Sequence, residues 1–305
     1  MTRYVVRRLL FAGITLLVIS LTVFLLSRAT GDPVEIMLDP TATQRDRDLL
    51  AHALGLDRPL HVQYYLFVSG ALRGDLGRSL TMNRPVLELF VQRLGNTLQL
   101  TGIVFALNFV IAVPAGTIAA VFRGRWPDSL TRWFVFLGHG VPNFCLGVVL
   151  ILLFAVRLRW LPPAGKGGPA TFILPLMTMT LGSAAGLTRI VRSSMLDVLP
   201  SEYLRTAKAK GLPPTTILWR HALRNALIPI VGYMSVAVRG LVTGGIIIET
   251  MFAWPGVGRL AYEAAQARDY PLMQGIVLMI ALTVILATFV ADLLYGWVDP
   301  RIRYS

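Results

Sequence analysis

Apolar residues in this chain come in long blocks, and polar residues gather between the blocks. Six blocks can be read, at residues 9–27, 97–122, 133–156, 171–188, 227–248 and 272–291. Each has about the 17–25 residues a helix needs to cross hydrocarbon. Inside lipid the backbone must satisfy its own polar groups, so only helices or closed barrels can span. No block alternates apolar and polar with period two, which excludes a barrel. The pattern therefore predicts an all-α, polytopic membrane protein with six transmembrane helices.

The intervening segments suggest four regions: a first anchor helix at 1–28, an extracytoplasmic segment at 29–93, a transmembrane core at 94–298, and a short tail at 299–305. The first block follows Arg3, Arg7 and Arg8 and runs for 19 residues without a small-residue cleavage site. That length exceeds the apolar region of a secretory signal, so a retained anchor is expected. In the 29–93 segment, residues 44–54 read as a short amphipathic helix stopped by Gly55, and residues 59–72 as an aromatic-rich interfacial helix.

Composition agrees with the pattern. The 305 residues are 55% hydrophobic and only 15% charged, against roughly a quarter charged in soluble domains, and the mean hydropathy is +0.63. The net charge is +13. Basic residues concentrate in alternate loops, at Arg123, Arg125 and Arg132, then from Arg189 to Arg224, and at Arg301 and Arg303. Few acids accompany them, so both termini are expected in the cytoplasm. A basic excess in such a chain points to orientation and anionic lipid rather than nucleic acid. Cys145 is the single cysteine, and the four histidines have no metal-ligand spacing.

Four apolar segments carry a proline, at Pro114, Pro142, Pro175 and Pro229. Gly182 with Gly186, and Gly240 with Gly244, have the spacing of close helix approach. Three charges lie in or beside the spans: Arg239 in the middle of the fifth, Glu249 near its outer end, Asp292 near the end of the sixth. A charge at membrane depth should face protein or water. Arg239 and Glu249 are accordingly candidates for a pore or gate.

The densest local signal is the 189–226 loop. Pro200 and Ser201 open a short helix, with Ser201 as N-cap, Glu202 in the first turn, and Lys208 and Lys210 at the end. Gly211 supplies a left-handed stop, and Pro213 and Pro214 prevent continuation. Tyr203, Leu204 and Ala207 share one face. This apolar face is expected to fit another protein, with anionic lipid as the alternative surface.

The block Glu202-Tyr203-Leu204-Arg205-Thr206-Ala207-Lys208-Ala209-Lys210-Gly211-Leu212, followed by Arg220-His221-Ala222-Leu223-Arg224-Asn225-Ala226-Leu227-Ile228-Pro229, resembles the coupling loop of binding-protein-dependent ABC importer permeases. Arg205 and Thr206 stand in the first two places of the family's E-A-A triplet, while Ala207 and Gly211 match it. The departures are those of the dipeptide/oligopeptide/nickel branch. Two further blocks resemble the same branch. One runs from Gly55-Leu56-Asp57-Arg58-Pro59-Leu60 to Gly74-Asp75-Leu76-Gly77-Arg78-Ser79. The other begins at Glu249-Thr250-Met251-Phe252-Ala253-Trp254-Pro255-Gly256, continues through Arg268-Asp269-Tyr270-Pro271, and ends at Asp299-Pro300-Arg301.

The resemblance implies the type I importer permease fold in a bacterial inner membrane. It also implies a homologous second permease completing the pore, two cytoplasmic ATPases that grip the coupling helices, and an extracytoplasmic solute-binding protein. The cargo of the branch is peptides, or nickel and other metal chelates. ATP and magnesium would be bound by the partner ATPases. The chain has no G-x-x-x-x-G-K-[ST], since Gly165-Lys166-Gly167 is not followed by a hydroxyl residue. A self-contained secondary transporter would call for acids in mid-membrane and inverted repeats. A membrane enzyme would need a nucleophile–base pair or a metal cluster. Neither pattern is evident.

Overall fold

The computed structural model describes residues 2–29, 34, 38, 41–53 and 55–298. Its elements are α1 (Thr2–Ala29), α2 (Gln44–Ala53), α3 (Leu60–Leu72), α4 (Val86–Val121), α5 (Trp126–Gly140), α6 (Asn143–Leu150), α7 (Ala170–Val198), α8 (Glu202–Ala209), α9 (Pro214–Thr216), α10 (Leu223–Met251), α11 (Val257–Gln266) and α12 (Tyr270–Val298). Among the described residues there are also two π-helical stretches, Ile151–Arg157 after α6 and Ile217–Ala222 after α9. Among the described residues there is no strand, only an isolated bridge between Arg78 and Pro85.

Among the described residues, four helical stretches are long and apolar enough to cross a membrane: Val6–Ala29, Val86–Val121, Ala170–Val198 and Tyr270–Asp292. A fifth candidate is the pair Trp126–Gly140 and Asn143–Arg157, bent by 102°. This corrects the expected straight span at 133–156. The cause is local: Pro142 has no N–H, and its ring pushes the preceding residue out of the helical region. Val141 is extended at φ −107°, ψ 124°, and the helix restarts after Pro142. Pro114, Pro175 and Pro229, by contrast, lie inside continuous helices. The predicted fifth span is helical within α10, but the side chains at 235–236 and 238–244 lie outside the described residues.

The chain divides into two compact units. The first comprises residues 1–97 and 255–286, the second residues 98–254 and 287–305. In the first unit, Leu76, Val86, Leu89 and Phe90 form a core with Val257, Leu260, Ala264, Leu272 and Ile276. The aromatic face of α3 rests on α1: the Phe24 and Tyr64 rings are 5.4 Å apart, and the Tyr64 hydroxyl is 2.9 Å from that of Ser20.

Two sequence blocks, 74–79 and 268–271, meet at one carboxylate. Asp269 is fully buried and accepts hydrogen bonds from Ser79 Oγ at 2.6 Å, Thr81 N at 3.0 Å and Thr81 Oγ1 at 2.9 Å. Its other oxygen accepts from Leu272 N at 3.2 Å and so caps α12. Asp269→Ala should remove the cap and leave the 79–81 turn unheld, at a cost of about 3 kcal/mol. Thermal unfolding of the purified protein would register it, and Asp269→Asn should lose less.

The second unit has two cores. One joins Leu100, Val104, Leu150, Leu174 and Met179 to Ile248, Phe252 and Trp254. The other joins Ala112 and Ala120 of α4 to Leu187, Val191 and Met195 of α7, and to Leu204, Ala222, Ala226, Ile230 and Met234. Gly116 allows the α4 backbone to close on α7, because a Cβ there would stand 2.7 Å from Thr188 O.

Candidate functional site in the 189–226 loop

The loop begins as helix. α7 continues through Arg189 and Arg192 to Val198 and ends before Pro200. α8 covers Glu202–Ala209, as the sequence predicts. Ser201 occupies the N-cap position with extended backbone, but its hydroxyl makes no capping hydrogen bond. The C-terminal stop is well formed. Gly211 is left-handed at φ +75°. Gly211 N donates to Lys208 O at 3.0 Å and Leu212 N to Ala207 O at 3.3 Å, the paired closure that satisfies the last carbonyls of a helix. Pro213 and Pro214 then open α9.

The geometry reverses one expectation. The apolar face of α8 turns into its own chain, with Leu204 5% and Ala207 8% exposed. Leu204 packs into the cluster of Leu187, Val191, Met195, Ala222 and Ala226. The physical reason is that a small apolar face is stabilised by the nearest available core, and the π-helical turn Ile217–Ala222 brings one alongside. Tyr203 lies at the edge, 42% exposed. Its hydroxyl accepts from Asn225 Nδ2 at 2.8 Å, and the same amide donates to His221 O at 3.1 Å.

The outward face is polar and basic. Glu202, Arg205, Thr206, Lys208, Ala209, Lys210 and Gly211 are exposed. Arg205 Nη1 bonds Glu202 Oε1 at 2.7 Å. Such an exposed pair adds little stability. Arg189, Arg220 and Arg224 are exposed as well. The loop can thus offer a positively charged surface on a rigid apolar base.

The base has an internal tie. Arg192 of α7 grips Asp128 of α5 with two hydrogen bonds, Nε to Oδ1 at 2.7 Å and Nη2 to Oδ2 at 3.0 Å. Asp128 is 1% exposed and also accepts from Gly124 N at 2.9 Å. In the sequence Asp128 and Arg192 stand only as charges in separate polar segments. Nothing in a single chain reveals a pair 64 residues apart.

The other two candidates do not join this site. The side chain of Arg239 lies outside the described residues. Glu249 is 1% exposed at the end of α10, beside Ile248 and near Phe252 and Trp254. Its carbonyl accepts from Trp254 N at 2.7 Å, which closes the helix over a left-handed Ala253.

Comparison with known proteins completes the picture. The family described as binding-protein-dependent transport system inner membrane component matches residues 112–304, and its N-terminal companion matches residues 1–101. The glutathione transport system permease protein GsiC of Escherichia coli (strain K12) is 40% identical over 306 residues, covering all of both chains. GsiC of Shigella dysenteriae serotype 1 (strain Sd197) is equally similar. Among solved structures, inward-facing forms of the MetNI methionine ABC transporter superpose with TM-scores of 0.56 and 0.58 at 22% and 21% identity. The first covers 70% of this chain and 97% of the other, the second 69% and 96%; at these identities the likeness supports the fold alone. With family models over residues 1–101 and 112–304 and relatives 40% identical along its whole length, the chain belongs to the inner-membrane permease subunits of binding-protein-dependent ABC importers.

Proposed function

We propose that this permease forms half of a translocation pore for small peptides in a bacterial inner membrane. It crosses six times with both termini in the cytoplasm. It pairs with a homologous permease, receives cargo from an extracytoplasmic solute-binding protein, and takes its driving force from two cytoplasmic ATPases at residues 202–211. Those ATPases bind the ATP and magnesium. The basis of the loop charges supports the orientation. The name of the relatives, glutathione transport, supports a peptide-type cargo with free carboxylates. Selection among such peptides falls to the binding protein.

The observation that carries the reading is α8 itself. It is a short helix with hard stops at both ends, apolar side inward and basic side outward. Such a helix gives a partner a firm handle without burying any of its own charges. The experiment is co-purification of the tagged chain from the membranes of its own cells. The chain should bring down a second permease and ATPases, and ATP hydrolysis in the reconstituted complex should rise with loaded binding protein. The chain alone should hydrolyse no ATP. Transport by the isolated chain in vesicles would overturn the proposal.

A further inference from the structure

The bend between α5 and α6 breaks an apolar segment in its middle. Residues 140–143 are exposed there, and a Cβ at Gly140 would meet nothing within 4 Å. Irregular backbone at membrane depth is tolerated only where it is buried in protein or lines a water-filled cavity. Here it is not buried by this chain.

Polar side chains gather at the same place. His139 ends α5 but for one residue, and Asn143 opens α6; both are exposed. Both sit against α7 at its small residues. A Cβ at Gly182 would overlap Asn143 Oδ1, and one at Gly186 would overlap Tyr233 Oη and stand 3.1 Å from His139 Cε1. The glycine pair that sequence reads as a helix-packing motif therefore seats a carboxamide, a phenol and an imidazole. On another face of α7 the polar groups are already used: Ser183 Oγ donates to Asn108 Oδ1 at 2.9 Å, and Asn108 is 2% exposed. No hydrogen bond from the His139 or Asn143 side chain occurs among the described residues. Exposed polar groups without partners, beside an open helix break, are stable at this depth only in contact with water or another polar surface.

We propose that His139, Asn143 and Tyr233, set on the Gly182–Gly186 strip, line the translocation path and exchange hydrogen bonds with the amide and carboxylate groups of passing peptides. The inference rests on the permease reading. It draws on His139 and Asn143, which are exposed, and on the half-buried Tyr233, none of which sequence reasoning singled out as a site.

The test is thiol accessibility in the assembled complex. Cys145→Ser provides the background, since the chain has one cysteine. Single variants His139→Cys, Asn143→Cys and Tyr233→Cys are then exposed to a charged, membrane-impermeant methanethiosulfonate, nucleotide-free and after trapping with ATP and vanadate. Leu152→Cys, on an exposed apolar position, is the lipid-facing control. A thiolate forms in water but not in an apolar surround, so the three sites should react on the order of tenfold faster than the control or more. Their rates should also differ between the two nucleotide states. Three thiols as slow as the control in both states, in a complex that still transports, would overturn the inference and leave the permease reading intact; the sister subunit or lipid would then cover the patch. A preparation in which no ATPase co-purifies overturns both.

Discussion

Arg192→Ala should destabilise the protein by about 3 kcal/mol, the usual cost of breaking one side of a buried ion pair. The expected asymmetry with Asp128→Ala follows from exposure. The Asp128 side chain is 2% exposed and that of Arg192 25%. Without Arg192, a carboxylate stays buried with Gly124 N as its main remaining donor; Arg132 Nε, at 3.9 Å, is too far to replace the lost pair. Without Asp128, the guanidinium can turn to water, so that variant should lose about half as much. Thermal unfolding of the complex in nanodiscs measures both. Replacing both partners by leucine should recover part of the loss, because two well-packed apolar groups carry no desolvation penalty. Equal losses for the two single variants would mean that the pair is more open than this geometry.

Arg205→Glu combined with Lys208→Glu should cut ATP-driven uptake by tenfold or more while the permease folds and inserts normally. Both side chains point away from the core of the second unit, and surface substitutions of this kind usually change stability by within about 0.5 kcal/mol. Under the proposed docking of the ATPase at residues 202–211, what they change is the sign of the surface it would meet. Reversed charges across an interface cost several kcal/mol of docking, so the failure should be one of assembly or coupling, read as uptake in vesicles against the amount of ATPase retained. Leu204→Ala is the contrasting case. It leaves the outward face intact but removes packing worth about 2–3 kcal/mol beneath it. It should loosen α8 and lower the efficiency of coupling, with ATPase still bound. A charge-reversed variant that transports at the parental rate would remove α8 from the force path.

Most of the fold was legible because membrane helices announce themselves by length and apolarity. The boundaries were less so. The second span starts at Val86 rather than 97, because its first turns carry Glu88 and Arg93 and fall outside an apolar window. The fourth runs on past Arg189 and Arg192 for the same reason. The third bends at Pro142 where the sequence predicts a straight span, because a proline inside a span and a proline at a break look alike in sequence. For the short helix, Gly211 and the flanking prolines gave both ends correctly. The direction of its apolar face was not legible, since Leu204 and Ala207 look the same whether a partner or the chain itself covers them. The α11 helix, at Val257–Gln266, was also missed, being too short and mixed to stand out. The Asp269 knot and the Asp128–Arg192 tie depend on pairings across 64 to 190 residues, which periodicity cannot see.

The burial of Leu204 beside Ala112, Leu187 and Ile230 has a mechanical consequence. Close-packed interiors transmit displacement instead of absorbing it. A tug on α8 therefore has little slack to take up: the stretches of α4, α7 and α10 packed in this cluster follow it together, as a crank follows its handle.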